Sequence, residues 1–183
     1  EVLTFTTDYS LELALTTTTV VINDKAIVEA AIDAYEALSA AAKAELTAEK
    51  TLIYSLLSKI EEYEEEITTF KADHSEVLTL TVNTVGIGDK ADVEAALAAY
   101  DLLSDEAKAN LTTEKTLLDS LLVKIGVQEA EVLTFTTDHS VALAFTTTTV
   151  TIDDKADVEA AITAYEALSA AAKAELTTEK ALL

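Results

Sequence analysis

The chain contains no cysteine, methionine, tryptophan or proline, no arginine, and three glycines in 183 residues. Each absence removes a possibility. Without cysteine there is no disulfide, no thiolate metal site and no thiol nucleophile. Without proline, and without any Gly/Ser-rich tract, there is no segment with the composition of a flexible or polyproline linker. No stretch approaches the roughly 18 to 20 uncharged apolar residues that a membrane-spanning helix requires, so membrane insertion is not expected. Aromatic residues make up 5% of a chain that is 50% hydrophobic, so its cores must be built from Leu, Ile, Val and Ala, a globular composition in spite of the charge. Positive charge is also scarce: 12 lysines face 34 carboxylates, a net charge of -22 that repels nucleic acid phosphates and anionic headgroups. The chain has neither an initiator methionine nor a leader sequence, which is what a fragment of a larger precursor would show.

What is present is a repeat. EVLTFTTDYS at Glu1 returns as EITTFKADHS at Glu66 and as EVLTFTTDHS at Glu131, a period of 65 residues. The organisation expected is three units, 1–65, 66–130 and 131–183, with the third truncated in its last helix. A fixed period of this kind belongs to modular arrays in which each unit mainly contacts its neighbours.

Within a unit the hydrophobic period changes. In the Thr-rich front, Leu3 and Phe5 alternate with Thr4 and Thr6, and Leu11, Leu13 and Leu15 alternate with Glu12, Ala14 and Thr16. A period of two predicts strands with one buried face. Asp8-Tyr9-Ser10 and its counterparts at His74 and His139 supply a turn signal, and the Thr run through to Ile22 favours a second strand. The expectation is a β-hairpin whose apolar residues Phe5, Leu13 and Leu15 need a cover, because an isolated hairpin is marginal in water. That cover could come from the unit's own helices, from a neighbouring repeat, or from an identical chain paired along a strand edge.

The back of each unit reads as three helices. Asp24, Asp89 and Asp154 stand where an N-cap would, followed by the stripe Val28, Ile32, Tyr35 and Leu38 at helical spacing. Ser39, Ser104 and Ser169 then cap a short second helix, and Thr47, Thr112 and Thr177 a third that carries Leu52, Leu56 and Ile60. The fold class expected is therefore α+β, each repeat a Thr-rich hairpin followed by a small three-helix bundle. Unit one leaves its last helix through EEYEEE, whose Glu61, Glu62, Glu64, Glu65 and Glu66 form a solvated helix end; unit two has Gly126 where a helix C-terminus would want it. Both joints are short and stiff.

The helical back, DKADVEAALAAYDLLSDEAKANLTTEKTLLDSLLVKI in unit two, resembles the small helical modules of Gram-positive bacterial surface-layer and other large secreted cell-surface proteins. The pattern is Asp-Lys, an Ala-rich helix with a central Tyr, then Leu-Ser/Thr and a Lys-containing turn, and it covers residues 24–60, 89–125 and 154–183. The resemblance implies an extracellular, cell-wall-associated, non-catalytic spacer or structural module. It does not extend to the Thr-rich front.

Candidate chemistry is sparse. Asp138-His139-Ser140 holds the residue types of a hydrolase triad, but adjacent residues in a turn cannot converge as nucleophile, base and orienter, and unit one has Tyr9 in place of the histidine. His74 and His139 are the only histidines and stand 65 residues apart, so a shared metal site is not expected. A calcium site formed by Asp8 with Asn23-Asp24 lacks the clustered Asp/Asn-Gly pattern of known loops. The Thr runs 16–19 and 146–149 could accept O-glycans or form a flat hydroxyl array, yet unit two writes TVNT there. Asn110-Leu111-Thr112 is a glycosylation sequon that the other units lack. No enzyme, cofactor or metal is expected. The first reading is a structural repeat region of an extracellular bacterial protein, a stalk or the body of a fibre or lattice, self-associating through neighbouring repeats or identical chains. The alternative is an adhesin-type module whose hairpins recognise a glycan or a protein partner. The surface for either interaction would comprise Phe5, Tyr9, Leu13, Leu15, Phe70, His74, Phe135 and His139.

Overall fold

The Thr-rich front of each repeat is helical, which corrects the expected hairpin. In a computed structural model describing residues 1–183, 78% of the chain is helix and no strand or sheet is present, so the fold class is all-α and not α+β. The physical reason lies in a second period that the alternation of Leu3 and Phe5 concealed. Val2, Phe5, Tyr9 and Leu13 are spaced by three, four and four, which places them on one helical face, and all four pack in one core with Ala31, Tyr35, Leu46 and Ile53. The threonines fit this helix because their hydroxyls bond back to the preceding turn, as Thr6 Oγ1 does in donating to the Val2 carbonyl at 3.1 Å.

The chain folds into two compact units, Glu1–Asp73 with Leu102–Thr112, and His74–Asp101 with Thr113–Leu183. In the first, α1 (Val2–Asp8), α2 (Lys25–Glu36), α3 (Ala40–Glu45) and α4 (Thr47–Asp73) are joined by a segment drawn from repeat two. Helix α4 is the spine. Its Ile53, Leu56 and Ile60 are fully buried, each stabilising the unit by about 1.5–3 kcal/mol through removal of apolar surface from water. Val20, Val28, Leu56 and Ile60 form a second core cluster, flanked by Leu15, Ile32, Leu52 and Leu57.

In the second unit, α5 (Ser75–Leu78) and α6 (Lys90–Leu102) precede a second long helix, α8 (Thr112–Asp138); α7 (Asp105–Asn110) belongs to the first unit. There follow α9 (Ser140–Leu143), α10 (Lys155–Ala167), α11 (Ala170–Glu175) and α12 (Thr177–Leu182). Phe135, Tyr165 and Leu176 form a core here with Val132, Leu143, Ala164, Leu168 and Leu183.

Both long helices run through a repeat boundary. α4 continues through EEYEEE and the first eight residues of repeat two, so those glutamates lie within a helix and do not end one. Gly126 likewise sits inside α8 and not at a C-terminus, and no residue has positive φ. The threonine runs form turns, not strands. Thr16 N donates to Thr19 Oγ1 at 3.0 Å and Val20 N closes the turn on the Thr16 carbonyl at 2.9 Å. The same arrangement recurs at Thr81–Thr84 and Thr146–Thr149. Only the first and last hydroxyls hold the turn to the backbone, so Val82 and Asn83 are accommodated in the middle.

Candidate functional site

Three side-chain links recur in register with the repeat, two of them in all three copies and the third, an ion pair, in repeats one and two. Ser39, Ser104 and Ser169 cap α3, α7 and α11 as expected, accepting from the backbone N–H of Ala42, Ala107 and Ala172 at 3.3, 3.2 and 3.2 Å. The first residue of each repeat reaches the same corner: Ser39 Oγ donates to Glu1, Ser104 N donates to Glu66 Oε2 at 2.9 Å, and Ser169 N donates to Glu131 Oε2 at 3.1 Å. A carboxylate is thus held 38 residues from its serine in all three copies, beside the positive end of a short helix. Asp24, Asp89 and Asp154 do not cap the helices that follow them. Their carboxylates turn back to accept from the backbone N–H of Val21, Gly86 and Thr151 at 3.0, 2.8 and 2.8 Å, bracing the single 3-10 turn that leads into each helix. The Asp24 carboxylate at the corner weighed for calcium is engaged in this way.

The third link is ionic. Lys25 Nζ meets Glu64 at 2.6 Å and Lys90 Nζ meets Glu129 at 2.8 Å, each tying the start of one helix to the long helix over it. The hydrogen bond that each lysine donates to its glutamate holds both lysines above their ordinary range. This contribution to stability is complete below the ordinary lysine range and is lost only as pH rises through the elevated values. At the other end of α2, Lys43 and then Tyr54 hydrogen-bond the Glu36 carboxyl and hold it below the usual carboxylate range, while Glu36 raises Tyr54. That contribution is present above the ordinary carboxylate range and is lost as pH falls.

The residues expected at an interaction surface divide between core and groove. Phe5, Phe70 and Phe135 are buried, and Leu13 packs with Phe5 while Leu15 packs near Val20 and Leu56. Tyr9 and His139 are half-buried, each with its ring 5.2 Å from the phenylalanine one turn before it, and His74 is half-buried between α4 and α5. Asp138, His139 and Ser140 lie in succession where α8 gives way to α9. With no hairpin present, there is no hairpin tip to carry recognition.

The structure instead shows a groove at the same place in repeats one and three. Glu1, Thr4, Phe5, Asp8, Tyr9, Ala34 and Leu38 line about 330 Å³ in the first; the equivalent Glu131, Thr134, Phe135, Asp138, His139, Ala164 and Leu168, with Val127 and Ala130, line about 470 Å³ in the third. It has an apolar floor and a carboxylate at each end of the roughly two helical turns along its rim. No protein-family model, curated protein or solved structure matches the chain. The reading of function therefore rests on this chain's own chemistry.

Gln128 and the links from Glu66 and Lys25 were missed in the sequence. Glu-to-Ser at a separation of 38, and Lys-to-Glu at 39, recur in register with the repeat and would have marked the pairs. Gln128 occupies the place of Tyr63 in repeat one, and its Nε2 donates to the Val85 carbonyl at 2.9 Å while the buried Oε1 has no partner. Beside it Val82, Asn83, Gly86, Lys124, Ser169 and Ala171 are among the residues lining a cavity of about 350 Å³.

Proposed function

We propose that the chain is a structural repeat region of an extracellular bacterial surface protein, serving mechanically as a stalk or as the body of a fibre or lattice. The observation that carries this is the location of the repeat boundary. Between repeats one and two it falls inside a single helix of 27 residues, about 40 Å long at 1.5 Å per residue. Length is thus propagated by helix and not by linker.

Packing between successive repeats supports the same reading. In the first unit α7 of repeat two rests on α4, and Ile22 N donates to Glu106 at 3.0 Å. In the second unit α11 of repeat three packs against the 3-10 turn Ile87–Asp89 of repeat two, the equivalent elements one period on. The resemblance of the helical segments to bacterial surface modules supplies the cellular setting. Electron microscopy of the native material tests the proposal: beads at regular spacing along a string, or side-by-side order, are the expected outcomes, and a compact globule overturns it. The groove beside Tyr9 and His139 favours a second reading, an adhesin-type module. Binding to a glycan or protein array that is lost on Leu38→Glu with Leu168→Glu would favour recognition over a purely mechanical role.

A further inference from the structure

The two helices that carry the repeat boundaries differ on one exposed face. In α4 that face holds Ser58, Glu62 and Glu65, all exposed. The equivalent positions of α8, one period on, hold Val123, Val127 and Ala130, and they too stand in solvent: Val123 is 69% exposed and Val127 49%. With Thr134 they follow one another at intervals of four, three and four, so they form a single stripe along the helix. A surface that is polar on one boundary helix is thus apolar on the other.

The stripe leads into the groove of repeat three. Val127, Ala130 and Thr134 line that groove from α8, Phe135, Ala164 and Leu168 make its floor, and no lysine stands among its lining residues. Its charge is negative: Glu131 is half-buried with Oε2 bound to Ser169 N, and Asp138 is exposed and in no ion pair. From Val123 to Asp138 the surface runs about 20 Å along α8 at 1.5 Å per residue. The groove belongs to the repeat itself, since it is present both in repeat one, from which α4 runs on, and in repeat three, into which α8 runs.

We propose that this surface of α8 and α10 docks a basic amphipathic helix of a protein partner. The partner's apolar face lies on Val123, Val127 and the groove floor, and its lysines or arginines meet Asp138 and Glu131. A helix laid into an apolar groove is a recurring mode of peptide recognition, and a stripe of about four turns is long enough to seat one. Charge selects the occupant. A second copy of this chain would bring its own net charge of -22 against the same carboxylates, and like charges set against each other disfavour an interface. A basic helix instead gains attraction at the rim while it takes the valines out of water. The inference rests on the second reading above, that this groove recognises a partner, and names that partner's chemistry.

The probe is a synthetic peptide of leucine and lysine at helical spacing, titrated into the full chain with labelled valine, leucine and alanine methyls. Saturable shifts are expected at Val123, Val127, Ala130 and Leu168 and not at Val28 or Val93, with binding that weakens as sodium chloride is raised. Val127→Glu with Ala130→Glu writes the residues of α4 into α8, so the helix is kept. It should weaken binding roughly tenfold or more, because it sets charge against the apolar face of the peptide. A merely diffuse attraction between opposite charges would make this more acidic variant bind more tightly, and that result overturns the proposal. Glu131→Gln with Asp138→Asn should bind severalfold more weakly than the parent. A peptide with the same leucines on a glutamate background should leave these methyls unmoved; equal binding by it overturns the proposal, as does the absence of shifts with the lysine peptide. Shifts that grow with protein concentration alone would assign the surface to a second copy and overturn it equally. If the lysine peptide fails while array binding is still lost on Leu38→Glu with Leu168→Glu, recognition stands and the basic partner falls; if both fail, both fall.

Discussion

At the scale of the residue, Gln128 concentrates the local cost of varying the repeat. Its amide nitrogen satisfies the Val85 carbonyl, but its oxygen is buried without a donor, a situation that typically costs about 1–3 kcal/mol. Gln128→Glu turns this into a measurable dependence on pH. A protonated glutamic acid can donate to Val85 as the amide does, whereas the carboxylate cannot, and burial penalises its charge. The folded-state pKa is therefore raised above the unfolded value of about 4.3. The variant should match the parent below about pH 4 and lose about 1.4 kcal/mol per pH unit above it until the folded pKa is reached. Thermal unfolding from pH 3.5 to 7.5 checks this, and a pH-independent difference would mean that the side chain leaves the core. The threonine turns supply a second residue-scale test. Thr84→Val removes the acceptor of Thr81 N and should cost about 1 kcal/mol in urea unfolding. Thr17→Val should be close to neutral, because repeat two already carries Val82 at that place.

At the scale of the element, the sequence was legible where its signals were independent and illegible where two coincided. The serine caps and the stripe from Val28 to Tyr35 could be read because each has a single interpretation, and both stand in the structure. The Thr-rich front carries two patterns at once. Leu3 and Phe5 alternate as a strand would, while Val2, Phe5, Tyr9 and Leu13 keep helical spacing, and Leu3 proves to be exposed. What decides between them lies outside the segment: EEYEEE has no residue that stops a helix, so in repeat two the front is the continuation of α4. The burial of two residues of the candidate surface was illegible for the same reason, since Phe5 and Phe135 on a helix face inward against Tyr35 and Tyr165 with ring centroids 6.1 and 5.9 Å apart. Glu65→Pro separates the two architectures. Glu65 is exposed, so its replacement disturbs little besides the backbone, and within a helix proline should cost about 3 kcal/mol or more. At a linker before a hairpin the same change would be nearly neutral. Urea unfolding followed by far-UV circular dichroism reads the difference.

At the scale of the whole molecule, the surplus of carboxylates sets how the chain responds to salt. Lysines engage carboxylates at Glu64, Glu36, Glu62, Glu129 and Asp119, yet 34 acidic residues against 12 lysines leave most carboxylates without a cation. The ion pairs are exposed on at least one side, and such pairs typically contribute about 0–1 kcal/mol each. Salt weakens these attractions and the mutual repulsion of the surplus charge together, over a Debye length of about 10 Å at 0.1 M. With a net charge of -22 the repulsive pairs outnumber the attractive ones, and repulsion destabilises the compact state. Raising sodium chloride from 10 mM to 500 mM at pH 7 should therefore raise the melting temperature. The same balance fixes the response to acid: as pH falls towards the pI of about 4.1 the repulsion fades, and chains that stay dispersed at neutral pH should associate, as light scattering would register. A melting temperature that falls with added salt would mean instead that the lysine pairs, Lys25–Glu64 and Lys90–Glu129 foremost, outweigh the repulsion, and their replacement by Lys25→Met with Lys90→Met would then abolish the salt dependence.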